Sequence, residues 1–499
     1  MTSTLDTTAV DGLVAVRRPY IDGRFVEGAG PSVSVDNPAT EAEIATVEGC
    51  SVDQVEAAIL AARRSFDEGP WSGATRAERV ATMLRFAEHL DARSEELRTT
   101  LIAEAGATAM MLATAQLGLP LRHAHDACDL YLSLPEQEYN PRPVDEVAAA
   151  GRVVASVRVF EPIGVVSAIT AYNYPLWLNI WKVVPALLAG NSVVLRPSPF
   201  TPLTALVLGE AADAAGIPPG VFNVVVEGGF EGSHLMTTHP AVDHVSFTGS
   251  TTVGRQIMAQ ASATVKRVML ELGGKSVQLY LPDAVDRAPT GCAAVFANHA
   301  GQACVAPTRM LVPNASKADV IERMRSVIDH LSVGDPLDPT VQVGPLISAA
   351  QRERCERLVA AAAAAGGDVA IGGGRPAGLD RGWFFEPTVV DVPDNSNPIA
   401  QEEVFGPVLT VIGYDDVDEA VRIANDSIFG LAGYVYGNDV AEATRVGRQI
   451  RAGTVSVNGG AGSAYGSSGG HTQSGLDRER GPEGIRAYQQ IKHLAIGNL

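Results

Sequence analysis

The stretch "IGVVSAITAYNYPLWLNIWKVVPALLAGNSVVL", Ile163 to Leu195, is the most apolar part of the chain and is long enough to span a bilayer. It also carries Asn173, Pro175, Asn179, Lys182, Pro185 and Asn191, so the better reading is buried strand, helix, buried strand. Outward from it the same pattern repeats: "VFNVVVE", "HVSFTGS" and "VMLELGG" are short apolar runs separated by helical segments, up to about Leu272. Continuous Val/Ile/Leu runs between helices indicate a parallel sheet covered on both faces, a doubly wound α/β unit. Such sheets bind ligands at the carboxyl ends of their strands. A second α/β stretch runs from about Gly273 to Ser468, with "SVQLYL", "TRMLVP", "FEPTVV", "LTVIGY" and "GTVSVNG" as strands.

Upstream, "YIDGRFVEG" (Tyr20 to Gly28) reads as a hairpin about an Asp-Gly turn. "DQVEAAILAARRSF" and "RAERVATMLRFAEHLDARSEELRTTLIAEAG" carry apolar residues at helical spacing, the second ending on Gly106 as a C-cap. The run Ala360 to Ala365 is helix. "RVVASVRVFEP" (Arg152 to Pro162) and the late "AYQQIKHLAIG" are isolated extended segments of the kind that pair with a partner subunit.

The 499 residues, 46% hydrophobic and 19% charged, predict a soluble chain of two or three domains. A net charge of -19 argues against nucleic acid or an anionic membrane as partner and favours a small molecule. Five cysteines with no C-x-x-C pair indicate neither a disulfide framework nor a structural zinc, hence a reducing compartment. The polar start "MTSTLDTTAVDGLVAV" lacks a basic region before an apolar core, so the expected location is the cytoplasm.

Five motifs could carry chemistry. "FTGSTTVGRQIM" puts Gly249, Ser250 and Gly254 at a strand-to-helix turn that could face a pyrophosphate, or simply cap a helix. "LELGGKS" ends an apolar strand on Glu271, a base if burial raises its pKa, or a structural cap. Asn173 lies on a turn fixed by Pro175, where an amide could donate to an oxyanion or merely form the turn. "EEVFGPV" offers Glu402 and Glu403 to ribose hydroxyls or to water. "HAGQACVAPTR" holds Cys304 with nothing beside it in sequence to make a thiolate. Cys50, Cys128, Cys292 and Cys355 read as packing or surface thiols, and His299 as structural.

In chain order, AYNYP, VVLRPSP, FTGSTTVG, LELGGKS, GQAC, EEVFGPV and a terminal SGG-x-x-x-SG-x-x-R-E-x-G segment make one constellation, and the chain resembles the aldehyde dehydrogenase superfamily over nearly its whole length. The resemblance implies a Rossmann-type cofactor domain (1–141 and 162–271), an α/β catalytic domain (272–470) and a β oligomerisation arm (142–161 and 482–499). It makes Cys304 the nucleophile, Glu271 the base for thioester hydrolysis, and Asn173 with the Cys304 amide the oxyanion hole. Arg196, Ser198, Gly229, Phe247, Gly249, Ser250, Gly254, Leu272, Gly273, Glu403 and Phe405 would hold the cofactor, NAD with NADP left open. Cofactor charge and a sheltered polar site would lower the Cys304 pKa, and no metal is implied. A homodimer or homotetramer follows by analogy.

Two departures matter. Arg196 replaces the usual lysine of the "VVLKP" motif and Pro199 an acid that opposes a 2'-phosphate, which weakens strict NAD preference. The loop "NGGAGSAYGSSGG" supplies small residues where aromatics often narrow the aldehyde tunnel, which predicts a bulky apolar or aromatic aldehyde lined by Tyr174, Leu178, Trp181, Ala303 and Val305. No Arg or Lys stands out in these stretches to clamp a carboxylate, which disfavours a semialdehyde acid. The competing readings are a CoA-acylating relative, against which Glu271 argues, a cysteine hydrolase using His299, and a non-catalytic descendant.

Overall fold

The computed structural model describes residues 12–141 and 154–497; the first part of the polar start and the beginning of the segment expected from Arg152 lie outside them. The Ile163–Leu195 stretch folds as read, with strand Val165–Ile169, helix Pro175–Leu188 and strand Ser192–Arg196. Both strands are fully buried and pair in parallel. Pro175 opens the helix, where its missing N–H costs nothing.

These strands form the centre of an eight-stranded sheet in the order Arg24–Phe25, Tyr20–Ile21, Phe222–Val224, Ser192–Arg196, Val165–Ile169, His244–Thr248, Arg267–Glu271, Gly475–Leu476. The five central strands run parallel, and the Tyr20 hairpin adds at one edge as an antiparallel pair. At the other edge a two-residue strand from late in the chain places Gly475 opposite Glu271.

A seven-stranded sheet follows: Asp368–Ile371, Thr388–Asp391, Val408–Tyr414, Arg309–Pro313, Val277–Tyr280, Ala432–Tyr436, Thr454–Val457. Two of these, Asp368–Ile371 and Ala432–Tyr436, fall outside the sequence-predicted set. The first is a short antiparallel edge, and the second pairs with Val277–Tyr280 at the heart of the sheet despite its Gly and Tyr content.

The long helical pattern starting at Arg76 breaks in two, Arg76–Ala92 and Ser94–Ala105. Arg93 leaves the helix at φ -99, ψ 12, and its guanidinium holds the corner by pairing with Glu96 and, at 2.8 Å, with Glu210. Gly106 does end the second helix, at φ 69.

The two isolated segments pair with each other in this chain. Val154–Pro162 and Gln489–Gly497 lie antiparallel in unbroken register from Gln489 opposite Pro162 to Gly497 opposite Val154, with Gln137–Tyr139 on the far side. Among the described residues no helix is long and apolar enough to cross a membrane.

Candidate active site

Both large sheets end at one cavity of about 640 Å³. Of the residues singled out from sequence, its wall contains Asn173, Tyr174, Leu178, Trp181, Gly249, Ser250, Glu271, Leu272, Gly273, Ala303, Cys304, Val305, Glu403 and Phe405. Arg196, Ser198, Gly229, Phe247 and Gly254 stand outside it. Phe247 and Gly254 support the wall from behind, since a Cβ on Gly249 would meet the Phe247 ring at 2.3 Å and one on Gly254 would meet Leu272 at 2.6 Å.

Cys304 follows a tight turn in which His299, Ala300 and Gly301 all have positive φ. A side chain on Gly301 would strike the Gly406 carbonyl at 2.0 Å, so the turn needs glycine there. Gln302 locks it: fully buried, its amide nitrogen donates to the carbonyls of His299 and Pro345, and its side-chain oxygen accepts from the Ile347 amide. The Gln302 carbonyl in turn accepts from Asn173 Nδ2 at 2.9 Å. That bond uses one amide hydrogen and orients the other. Behind it, Gln116 donates to the Asn173 carbonyl at 2.8 Å from a single π-helical turn, Leu112–Gln116.

In the protein without its cofactor, burial, then the charges of Glu403 and Glu271, push the Cys304 thiol up to about 12; the expected lowering draws on cofactor charge as well. His299 does not relieve this. Burial lowers its pKa to about 4, and its ring packs 5.6 Å from that of Tyr174, so it is neutral and structural. The other four cysteines are buried, with thiols pushed up to about 12 by the same cause.

Glu271 closes its strand with one oxygen buried and without a partner. Burial and the charge of Glu479 raise its pKa well above the ordinary carboxylate value, while Lys182 and Arg478 pull the other way. Behind it lies a buried chain: Lys182 Nζ donates to Glu479 Oε1 at 2.5 Å and to Ser246 Oγ at 3.1 Å, and Tyr488 OH donates to the same Ser246 oxygen. Neither Lys182 nor Glu479 was singled out from sequence. The first served only to argue against a membrane span, and the second lay unexamined in the R-E-x-G segment.

The opposite wall joins a helix start to a buried carboxylate. Ser250 caps helix Thr251–Ala261, its Oγ accepting from the Val253 amide, and Thr248 Oγ1 is buried without a partner. The Gly249 amide donates to the Glu271 carbonyl, tying the helix start to the Glu271 strand. Glu403 Oε1 accepts from the Gly274 amide at 2.9 Å, and burial raises its pKa to about 7. Gly273 lies close beside it, and a Cβ there would meet the Glu403 carboxylate at 2.4 Å and push it aside. Glu402 is exposed, so only one of the expected acidic pair faces the cavity. Gln351 and Arg354, unmarked in the sequence, complete this wall, and Arg354 donates to the Glu403 carbonyl. Arg196 is committed internally, through Nε to Glu227 and Nη2 to the Gly229 carbonyl. Ser198 is buried and turns its Oγ to the Phe200 amide.

Residues 25–494 match the aldehyde dehydrogenase family. The geranial dehydrogenase of Castellaniella defragrans is 38% identical over 479 residues, 96% of this chain and 98% of that protein. The 3-succinoylsemialdehyde-pyridine dehydrogenase of a Pseudomonas species is 38% identical over 95% of this chain and 98% of its own. The crystal structure of a cysteine-to-alanine variant of aldehyde dehydrogenase C from Pseudomonas syringae, complexed with NAD+ and octanal, superposes with a TM-score of 0.90 at 38% identity, covering 96% of each chain.

Proposed function

Because this chain belongs to the aldehyde dehydrogenase family and is an aldehyde dehydrogenase that uses NAD, we propose that Cys304, Glu271 and Asn173 carry its chemistry on a bulky apolar or aromatic aldehyde. The observation that carries this reading is the convergence of the three on one cavity whose opposite wall is the Ser250 and Glu403 cradle.

Glu271, its pKa raised toward the working range, accepts the Cys304 proton through water, and Sγ bonds to the aldehyde carbon as the C=O π pair moves onto oxygen. The free hydrogen of Asn173 Nδ2 and the Cys304 backbone amide donate to that oxyanion. NAD, when bound with its nicotinamide beside Cys304, supplies the hydride acceptor that turns the adduct into a thioester. Glu271 then takes a proton from water, the hydroxide adds to the thioester carbon, and the C–S bond breaks to release the acid and restore the thiol. The Lys182–Glu479 pair provides a buried polar path by which the Glu271 proton can leave. Ser250 with the first turn of its helix would hold the pyrophosphate, and Glu403 a ribose.

The substrate reading rests on a wall built from Tyr174, Trp177, Leu178 and Trp181, with the small residue Ser468 also lining the cavity. The relatives named for geranial and crystallised with octanal agree with it. The 1–141 and 162–271 segments serve as the cofactor unit, 272–470 as the catalytic unit, and the Val154–Pro162 and Gln489–Gly497 pair as the edge that joins subunits.

The test follows reduced-cofactor absorbance across a panel of aldehydes, with and without CoA, for wild type and Cys304→Ala. Turnover without CoA, abolished by the substitution and faster on long-chain or aromatic aldehydes than on acetaldehyde, is expected. A strict CoA requirement would overturn the Glu271 assignment, and a preference for acetaldehyde the substrate class.

A further inference from the structure

Arg480 occupies the variable position of the terminal R-E-x-G segment and combines three unfavourable features. Its backbone sits at φ 60, ψ 173, a region open to glycine and costly to any side chain. Its side chain is half-buried, and among the described residues it forms no ion pair; Asp126 is the one carboxylate whose charge reaches it. Its Nε is buried without an acceptor. An arginine that gains so little from the protein around it is a residue the fold alone would not select.

Its place is beside the cavity, against Trp181. The guanidinium stands 5.3 Å from the centroid of the Trp181 ring, which lines that cavity. Nη2 donates to the carbonyls of Ser463 and Ala464, at 3.2 and 3.4 Å, in the small-residue loop. Tyr174, Leu178 and Trp181 succeed one another at helical spacing, so the wall extends roughly 10 Å outward from the nucleophile's end at 1.5 Å per residue. On the far side of Trp181, His123 is held neutral, its pKa lowered to about 4 by burial and by the Arg480 charge, so Arg480 is the cation at this end of the wall.

We propose that Arg480 selects substrates bearing a carboxylate at the end away from the aldehyde, so that the chain oxidises an aldehyde-acid with an apolar or aromatic body. The body fills the Tyr174, Leu178 and Trp181 wall, and the carboxylate takes the guanidinium in place of its long bonds to the loop. The proposal rests on reading the cavity as the aldehyde site.

The test compares 3-(4-formylphenyl)propanoate with its neutral carboxamide, measured beside octanal. Wild type should favour the carboxylate by about 30-fold in kcat/KM, the scale of one charge-assisted contact. Arg480→Gln should bring the ratio near 1, Arg480→Lys should restore part of it, and Arg480→Gly, which suits the backbone, should lose it in a chain that folds without strain. Equal use of the two compounds by wild type, or an unchanged ratio in Arg480→Gln and Arg480→Gly, overturns the assignment while octanal turnover leaves the aldehyde site standing. No turnover of octanal or of either compound overturns the reading of the cavity itself.

Discussion

At the scale of single residues, burial raises the pKa of both Cys304 and Glu271, the proposed nucleophile and base, and each works only in its deprotonated form. Glu271 is active as the carboxylate, and its folded pKa is raised, so kcat should climb as pH rises through a midpoint well above the ordinary carboxylate value. Glu271→Gln should remove that limb and lower steady-state turnover by about 10²- to 10⁴-fold, the range for a lost general base. Hydride transfer precedes hydrolysis, so this variant should still release one equivalent of reduced cofactor per active site, formed more slowly than in wild type because Cys304 has lost its proton acceptor. A variant with no such equivalent and no pH change would place the base elsewhere. That Cys304, Glu271 and Asn173 share one cavity was legible in the sequence because each sits in a short motif at a strand end or turn. Lys182, Glu479, Gln302 and Arg354 were not, since they act through contacts made 43 to 297 positions away.

At the scale of elements, short-range pattern located the strands of the first sheet but not the corner at Arg93, which depends on Glu210. Nor could it show how helix Leu203–Ala215 begins. That helix starts after Pro202 with no cap of its own, and Glu104, fully buried, reaches over to accept the Leu203 and Thr204 amides and the Thr204 hydroxyl. Glu104→Ala should therefore leave three buried donors unpaired and destabilise the fold by about 2–4 kcal/mol. A calorimetric Tm unchanged from wild type would show the cap to be dispensable. The strand Ala432–Tyr436 escaped reading for a related reason: its burial comes from both neighbouring strands rather than from its own composition.

At the scale of the molecule, strand Gln489–Gly497 is paired on one side only and exposes Leu494 and Ile496 on one face, at 40% and 53%. An unpaired edge of nine residues with Ile491, Leu494 and Ile496 exposed invites a partner. Leu494→Lys combined with Ile496→Lys should shift the protein to monomers in size-exclusion chromatography with light scattering; an unchanged mass would remove this edge from the subunit contact. The segment leading into that strand carries a further consequence. Ser474 accepts the Leu272 amide, Gly475 pairs with Glu271, and Glu479 sets the charge around it, yet all three belong to the last thirty residues of the chain. A ribosome that has already delivered Cys304 and Glu271 must therefore add most of two hundred further residues before the surroundings of that carboxylate exist. The Cys304 thiol emerges early and gains these surroundings late, so a nascent chain that stops short of Glu479 would hold the proposed nucleophile dormant.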